Sequence, residues 1–304
     1  MRNDKRIFAL GFFDGVHLGH QALLKECCAL AKTLDCQAAA ITFDRHPKSM
    51  FSPQPPVLIS TAPERKRLLR LYGIEQVYQY PVSEQTMSTP WRAFIGELLE
   101  YGAAGFVCGA DYRFGHRGEG SAEKLKTLCT QLGIPCVIVP DQILEGVRIS
   151  STHIRGLIED GKMESATKFL GHPYTLTGHV VHGKQLGRKL GVPTANLILP
   201  EGLAIPKFGV YACRCVVDGI RYCAVTNIGT RPTVNGMGIT VEPWILDFEG
   251  DLYDREIRLE FYYFLRPEMK FDDLSALRRQ IQADAAETRC YFESNTKEAE
   301  GWQN

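Results

Sequence analysis

The feature that most restricts what this chain can fold into is a change of rhythm near residue 172. Before it, short apolar runs alternate with helical patterns: "CQAAAITF", "APERKRLLRLYG", "IEQVYQY", "PWRAFIGELLEYG", "AGFVCG", "SAEKLKTLCTQLG", "PCVIVP". Strands separated by helices of that length predict a parallel sheet covered on both faces. After residue 172 the segments "YTLTGHVVHG", "FGVYACRCVVDGIRYCAVTNIG", "ITVEPWILDF" and "REIRLEFYYFL" read as strands without intervening helices. They predict a small antiparallel barrel or sandwich, with a hairpin turn at Asp218-Gly219. A last helix, "DDLSALRRQIQADAAETRCYF", closes the chain, with Asp272 as the expected N-cap and Leu274, Leu277 and Ile281 on one face.

Composition narrows the function. A length of 304 residues suits about two domains, drawn here as 1–170 and 171–292 with a polar tail at 293–304. Thirty-five Lys+Arg balance thirty-five Asp+Glu, which argues against a nucleic-acid partner. The early run "IFALGFF" is cut short by Asp14 and lacks a small-residue cleavage pattern, and no apolar run is long enough to span a bilayer. Ten scattered cysteines include no C-x-x-C pair, so neither a disulfide framework nor a zinc site is expected, and a reducing cytoplasm fits best.

The stretch "ALGFFDGVHLGHQALL" (9–24) carries the first chemistry. Leu18, Leu23, Leu24, Cys27, Ala31 and Leu34 recur at helical spacing, so the glycine-rich turn joins a strand to a helix rather than to a second strand. The first turn of a helix offers unpaired N–H groups and partial positive charge, a ready anion site. His17 and His20, three residues apart, lie on one face of that turn, and Gly11, Gly15 and Gly19 allow close backbone approach. Far downstream, "RISSTHIRGLI" (148–158) sets Ser150, Ser151 and Thr152 before another apolar helical pattern. Ordinary N-capping would explain the three hydroxyls. Arg155 adds a side chain suited to phosphate.

G-x-F-D-G-x-H-x-G-H followed by I-S-S-T-x-I-R resembles the nucleotidyltransferases that transfer adenylyl or cytidylyl groups. With "TFDRHP" (42–47), "GADYRFGHRGEG" (109–120), "GKQLGRKLGVPTANL" (183–197), "GVYA" (209–212), "TNIGTRPTV" (226–234) and "VEPWILDFEGDLYDREIRLEF" (241–261), the whole chain is similar to the bacterial bifunctional riboflavin kinase/FAD synthetase family. The resemblance implies a Rossmann-like α/β adenylyltransferase domain followed by a small antiparallel β-barrel kinase domain with a C-terminal helix. It implies ATP, riboflavin, FMN and FAD as substrates and products, and Mg2+ as cofactor.

The resemblance also assigns residues. Gly11, Phe13, Asp14, Gly15, His17, Gly19 and His20 would bind ATP from the turn, and Ser150, Ser151, Thr152 and Arg155 from the other side. His17, His20 and Arg155 would act on the reacting phosphates. His46, Pro47, Asp111, Arg113 and Phe114 would line the flavin side. In the second domain Glu242 would be the base, and Thr194 and Asn196 would hold magnesium. Gly187, Arg188, Lys189, Gly191 and Pro193 would cover the nucleotide beside Asn227 and Arg231.

Three positions depart from the family's usual pattern: Phe12 for Asn, Trp244 for His, and Asp254 for Gly. Gly178 to Gln185 mimics a phosphate-binding P-loop but ends in Gln where magnesium needs a hydroxyl, so it is expected to be structural. The alternative function is a riboflavin kinase whose N-terminal domain is catalytically silent.

Overall fold

The computed structural model describes residues 4–182, 191–233 and 236–295, with backbone alone at 231–233, 236 and 237. It divides into two compact units, residues 1–151 and 152–304.

In the first unit the strands are β1 (Arg6–Leu10), β2 (Gln37–Phe43), β3 (Gln76–Tyr80), β4 (Ala103–Gly109), the short β5 (Arg113–Phe114) and β6 (Gly120–Ser121), β7 (Cys136–Val139), and the short β8 (Ile143–Leu144) and β9 (Val147–Arg148). The helices are α1 (Leu18–Thr33), α2 (Ala62–Leu71), α3 (Glu84–Ser88), α4 (Trp91–Glu100) and α5 (Ala122–Leu132). Five strands form a parallel sheet in the order β3-β2-β1-β4-β7.

The strand residues alternate between two cores, as the pleat requires. Ile7, Ala9, Ala38, Ala40 and Val107 face Leu23, Leu24 and Cys27 of α1 and Leu68 and Leu69 of α2. Phe8, Leu10, Ala39, Ile41, Phe106 and Cys108 face Phe94, Ile95 and Leu98 of α4 and Leu125 of α5. Helix starts follow capping chemistry: Thr61 accepts from Glu64 N–H and Ser121 from Lys124 N–H. Gly133, in left-handed backbone, ends α5.

The chain continues through α6 (Ser151–Glu159) and α7 (Met163–Leu170). The unit boundary falls within the first turn of α6, and α7 packs on β10 (Tyr174–Val181) and β15 (Glu256–Arg266). Between these strands come β11 (Asn196–Ile198), β12 (Gly209–Val217), β13 (Ile220–Thr233) and β14 (Gly236–Ile245). The six close an antiparallel barrel in the order β10-β11-β14-β13-β12-β15, so the barrel, not the sandwich, is realised. Asp218 and Gly219 both take positive φ, 50° and 82°, the geometry of the expected hairpin. Gly178 to Val181 is plain β10 strand, as the P-loop mimic was expected to be.

The last helix, α8 (Leu274–Ser294), corrects two expectations. Its N-cap is Asp273, which accepts from Ala276 N–H at 2.7 Å, not Asp272. Leu274 is 57% exposed, and the buried stripe is Asp284, Ala285, Thr288 and Phe292. Asp284 can be buried here because it receives two bonds from Arg266, Nε at 2.9 Å and Nη2 at 2.8 Å. Asp284→Ala would leave Arg266 buried without its counter-charge, and loss of a partner in such a pair costs about 3–5 kcal/mol. Urea unfolding should show that loss of stability.

Candidate active sites

The turn after β1 is held in backbone that side chains rarely adopt. Phe13 (φ 60°), Gly15 (φ 73°) and Val16 (φ 39°) are all left-handed, and for a β-branched residue such as Val16 this is strained. Asp14 supplies the restraint. Its Oδ1 accepts the N–H groups of Ile59 at 2.9 Å and Ser60 at 3.1 Å, while Ser60 Oγ accepts from Gly15 N–H at 2.9 Å. Ser151 Oγ donates to the Asp14 carbonyl at 3.1 Å. A Cβ on Gly15 would lie 2.7 Å from Ile59 Cγ2, so both space and φ demand glycine.

The turn delivers His17 as the N-cap of α1. Its Nδ1 accepts from His20 N–H at 3.3 Å, so the proton of a neutral ring sits on Nε2. The His17 and His20 rings stack with centroids 3.6 Å apart, and His20 meets the edge of Phe13 at 5.3 Å. His20 Nδ1 is covered and has no partner among the described residues. Burial, then the neighbouring His17 and Arg65, hold the His20 pKa well below its ordinary value. The neutral His20 ring and the His17 ring beside it serve as hydrogen-bonding groups at a helix N-terminus.

The other ATP-side residues divide between the units. Ser150 and Ser151 belong to the first, and Thr152 and Arg155 to the second. Arg155 Nη2 donates to Thr152 Oγ1 at 3.1 Å on an exposed face of α6.

The flavin-side residues are brought together in part. A cavity of about 730 Å³ with a mainly apolar wall is lined by Pro47, Arg113 and Phe114 together with Phe43, Tyr80 and Tyr112. Phe114 is only 7% exposed, stacked on Tyr112 at 5.2 Å and packed against Trp91, so it is as much core as wall. His46 and Asp111 lie outside this lining. His46 caps the short turn Pro47–Met50 and touches the Phe12 ring at 4.8 Å. Asp111 pairs with Arg148 at 2.6 Å.

In the barrel, strand register sets the second site. Asn227 lies directly opposite Glu242, and Leu197 opposite Val241. Ala195 N–H donates to the Pro243 carbonyl at 2.9 Å, which draws the Thr194–Asn196 segment alongside the base candidate. Pro193 and Thr194 line a cavity of about 400 Å³ with Pro243, Phe248, Asp251 and Tyr253. Glu242 and Trp244 occupy the opposite side of the β14 pleat from Pro243 and Ile245. Trp244 packs with Val210, Val225 and Ala285 of α8. Asp254 takes φ 60°, the left-handed conformation that Asp tolerates in place of Gly.

Gly191 is described, with φ 73°; Gly187, Arg188, Lys189 and the Arg231 side chain lie outside the described residues. No group of three or more His, Cys, Asp or Glu side chains suited to a metal occurs among the described residues. Three groups went unread in the sequence: Thr42, whose hydroxyl donates to the Phe12 carbonyl; Ser60; and Arg65, wholly buried beneath Phe12. Only Arg65 carried a signal, since it precedes Leu68 and Leu69 by three and four residues on α2.

A helix N-terminus with paired imidazoles at the end of a parallel strand suits phosphate binding, and the barrel runs the Thr194–Asn196 segment alongside the strand that carries Glu242. The FAD synthetase family model matches residues 1–153 and the riboflavin kinase model residues 170–292. A bifunctional riboflavin kinase/FMN adenylyltransferase of Listeria monocytogenes is 36% identical over 94% of this chain and 92% of that protein. The Escherichia coli protein of the same description is 33% identical over 94% and 92%. A solved structure from Streptococcus pneumoniae, described as a macrolide-efflux protein, matches with TM-score 0.85 and 33% identity over 95% of this chain and 97% of that one. Among the described residues of this chain, no helix is long and apolar enough to cross a membrane. The chain belongs to the bifunctional riboflavin kinase/FMN adenylyltransferase family, with both domains present in the family order.

Two outcomes follow from the turn. Gly15→Ala should destabilise the first unit by about 1–3 kcal/mol, the usual cost of a strained backbone residue, as read by denaturant unfolding. Nitrogen NMR of the imidazoles should find His20 still neutral where an ordinary histidine, with its pKa of about 6.5, is half protonated.

Proposed function

We propose that the histidine turn and the apolar cavity of the first unit form the FMN adenylyltransferase site, and that Glu242 with Thr194 and Asn196 forms the riboflavin kinase site. The observation that carries the first assignment is the buried Asp14 holding His17 and His20 at the α1 N-terminus, beyond the carboxyl end of the central strand β1.

At the first site a phosphate oxygen of FMN attacks the α-phosphorus of ATP, and the bond to the bridging oxygen breaks to release pyrophosphate. The monoester's second pKa is about 6, so the nucleophile is already largely dianionic and no base is required. What the site supplies is position and relief of negative charge. His17, His20, the α1 N–H groups, Ser150 and Ser151 do this for the triphosphate, and the family resemblance gives Thr152 and Arg155 the same task. The 730 Å³ cavity, with Pro47, Arg113 and Phe114 in its wall, takes the isoalloxazine. His46 and Asp111 act from outside that wall, His46 by fixing Phe12 and Asp111 by fixing Arg148.

At the second site the 5′-hydroxyl of riboflavin must lose its proton as it attacks the γ-phosphorus. Glu242 takes that proton, and ADP leaves. The oxygen donors Thr194 and Asn196 suit Mg2+, which is held in kinase sites by few protein oxygens together with phosphates and waters. When bound, the metal supplies charge neutralisation on the phosphates. Gly187, Arg188, Lys189, Gly191, Pro193, Asn227 and Arg231 surround the nucleotide in this reading. In this reading the first domain runs to residue 170, the kinase domain is 171–292 and the tail 293–304. Free cysteines throughout the chain fit a reducing cytoplasm.

Glu242→Gln should lower riboflavin phosphorylation by about 10²–10⁴-fold, the range for loss of general base catalysis, and leave FMN adenylylation intact. His20→Ala should do the reverse. Chromatography of flavins from riboflavin, ATP and magnesium, and separately from FMN, reads both. FMN formed from riboflavin, with no FAD from either substrate in the unaltered protein, would support a riboflavin kinase with a silent N-terminal domain.

A further inference from the structure

Arg65 is not explained by the turn or by the cavity wall. It lies in a run of charges on α2, yet it is 0% exposed and heads the fully buried large side chains. Its Nη2 donates to the Phe43 carbonyl at 2.5 Å. Nε and Nη1 are buried with no hydrogen-bond partner among the described residues. The nearby carboxylates are spoken for: Asp14 Oδ1 by Ile59 and Ser60 N–H, Asp44 Oδ1 by Arg45 and Val82 N–H. Phe12 lays its ring over the guanidinium at 4.3 Å, which favours the cation but satisfies no N–H. Burial pulls the Arg65 pKa down to about 10, with Asp14 and Asp44 opposing, so the group stays charged near neutral pH.

A dehydrated cation with two idle donors is a site for an anion. Position says which one. The Phe43 carbonyl ties the guanidinium to a residue that lines the 730 Å³ cavity, and Phe12 stands at the head of the histidine turn with His46 on its other side. Arg65 is also close enough to His20 to lower its proton affinity. It therefore lies between the cavity read as the flavin site and the turn read as the triphosphate site. The anion that belongs between them is the terminal phosphate of the flavin.

We infer that Arg65 is the anchor for the phosphate monoester of FMN, reached when the half-buried Phe12 ring turns off its face. This rests on the reading given under "Proposed function". The anchor holds a dianion near the α-phosphorus against the repulsion of the triphosphate. It stays protonated throughout: the new bond is flavin phosphate oxygen to α-phosphorus, pyrophosphate leaves with the bonding pair, and no proton passes through Arg65. Phe12, where the family often has Asn, covers the cation while the phosphate is away.

The test is steady-state FAD formation by the full chain, varying FMN and ATP separately, for Arg65→Met and Arg65→Lys, with riboflavin phosphorylation by the same preparations as a control of integrity. Arg65→Met should raise KM for FMN about 10- to 100-fold, the factor carried by charge-assisted hydrogen bonds. KM for ATP should move by less than about threefold, and Arg65→Lys should recover most of the loss. Equal rises in both KM values, a fall in kcat alone, or a lysine variant as impaired as the methionine one would overturn the inference. If Arg65→Met does not fold, Arg65→Gln, which keeps a donor for the Phe43 carbonyl but carries no charge, takes its place with the same expected and overturning results. His20→Ala run beside them separates the two readings. Intact FAD formation in that variant would remove the histidine-turn site itself. Its loss, with KM for FMN unchanged in Arg65→Met, would remove only the anchor.

Discussion

One carboxylate oxygen organises the first site. Asp14 Oδ1 accepts the N–H groups of Ile59 and Ser60, on a segment 45 residues away, and so fastens a turn in which Phe13, Gly15 and Val16 are all left-handed. Each strained residue costs about 1–3 kcal/mol, while hydrogen bonds to a charged group contribute about 1.5–3. The two effects are comparable, and the balance depends on the carboxylate remaining buried and ionised. The rest of the site inherits its geometry from that turn. His17 caps α1 because Val16 aims the chain into it, and His20 stacks on His17 because α1 begins where it does. The strain belongs to the function: a relaxed turn would not present two imidazoles at one helix N-terminus.

In the proposed assignment the two sites meet opposite chemical demands. The first receives a nucleophile that is already an anion, and answers with donors: imidazole rings, backbone N–H groups and, in our inference, a buried guanidinium. The second receives a neutral hydroxyl, and answers with a carboxylate placed opposite Asn227 across β13 and β14. A single charge pattern could not serve both, and each half of the chain brings its own.

Architecture was legible in the sequence because it rests on period. The helix-strand alternation before residue 172 and the run of strands after it are patterns of apolar spacing, and the cores around Ile7 and Phe8 are those patterns folded. Asp14 was legible as a member of the turn, though not its partners, since nothing local points from Asp14 to Ile59 and Ser60. Phe114 read as a flavin contact and lines the cavity, but its stacking on Tyr112 and its burial were not legible, because nothing local shows how much of an aromatic ring is core. The end of the chain misled where polar residues are buried. Asp284 and Thr288 lie inward on α8 while Leu274 faces solvent, and for Asp284 the explanation is the distant Arg266 with Gln280 one turn away. Arg65 was hidden for the same reason, its charge suggesting water when its spacing from Leu68 and Leu69 suggested the interior.

The barrel closes on itself through β10 and β15, so none of its six strands is an edge. In an open sheet a strand can slide past one neighbour and leave the others undisturbed. In a ring, a slip at any seam must be absorbed at another, and a slip of one residue turns every side chain to the other face. The pairing of Glu242 with Asn227 is thus guarded by all six seams at once. The ring absorbs its irregularities locally, as where β12 and β15 shift register at Val210/Tyr211 and Ala212/Cys213, far from the seam that pairs Glu242 with Asn227.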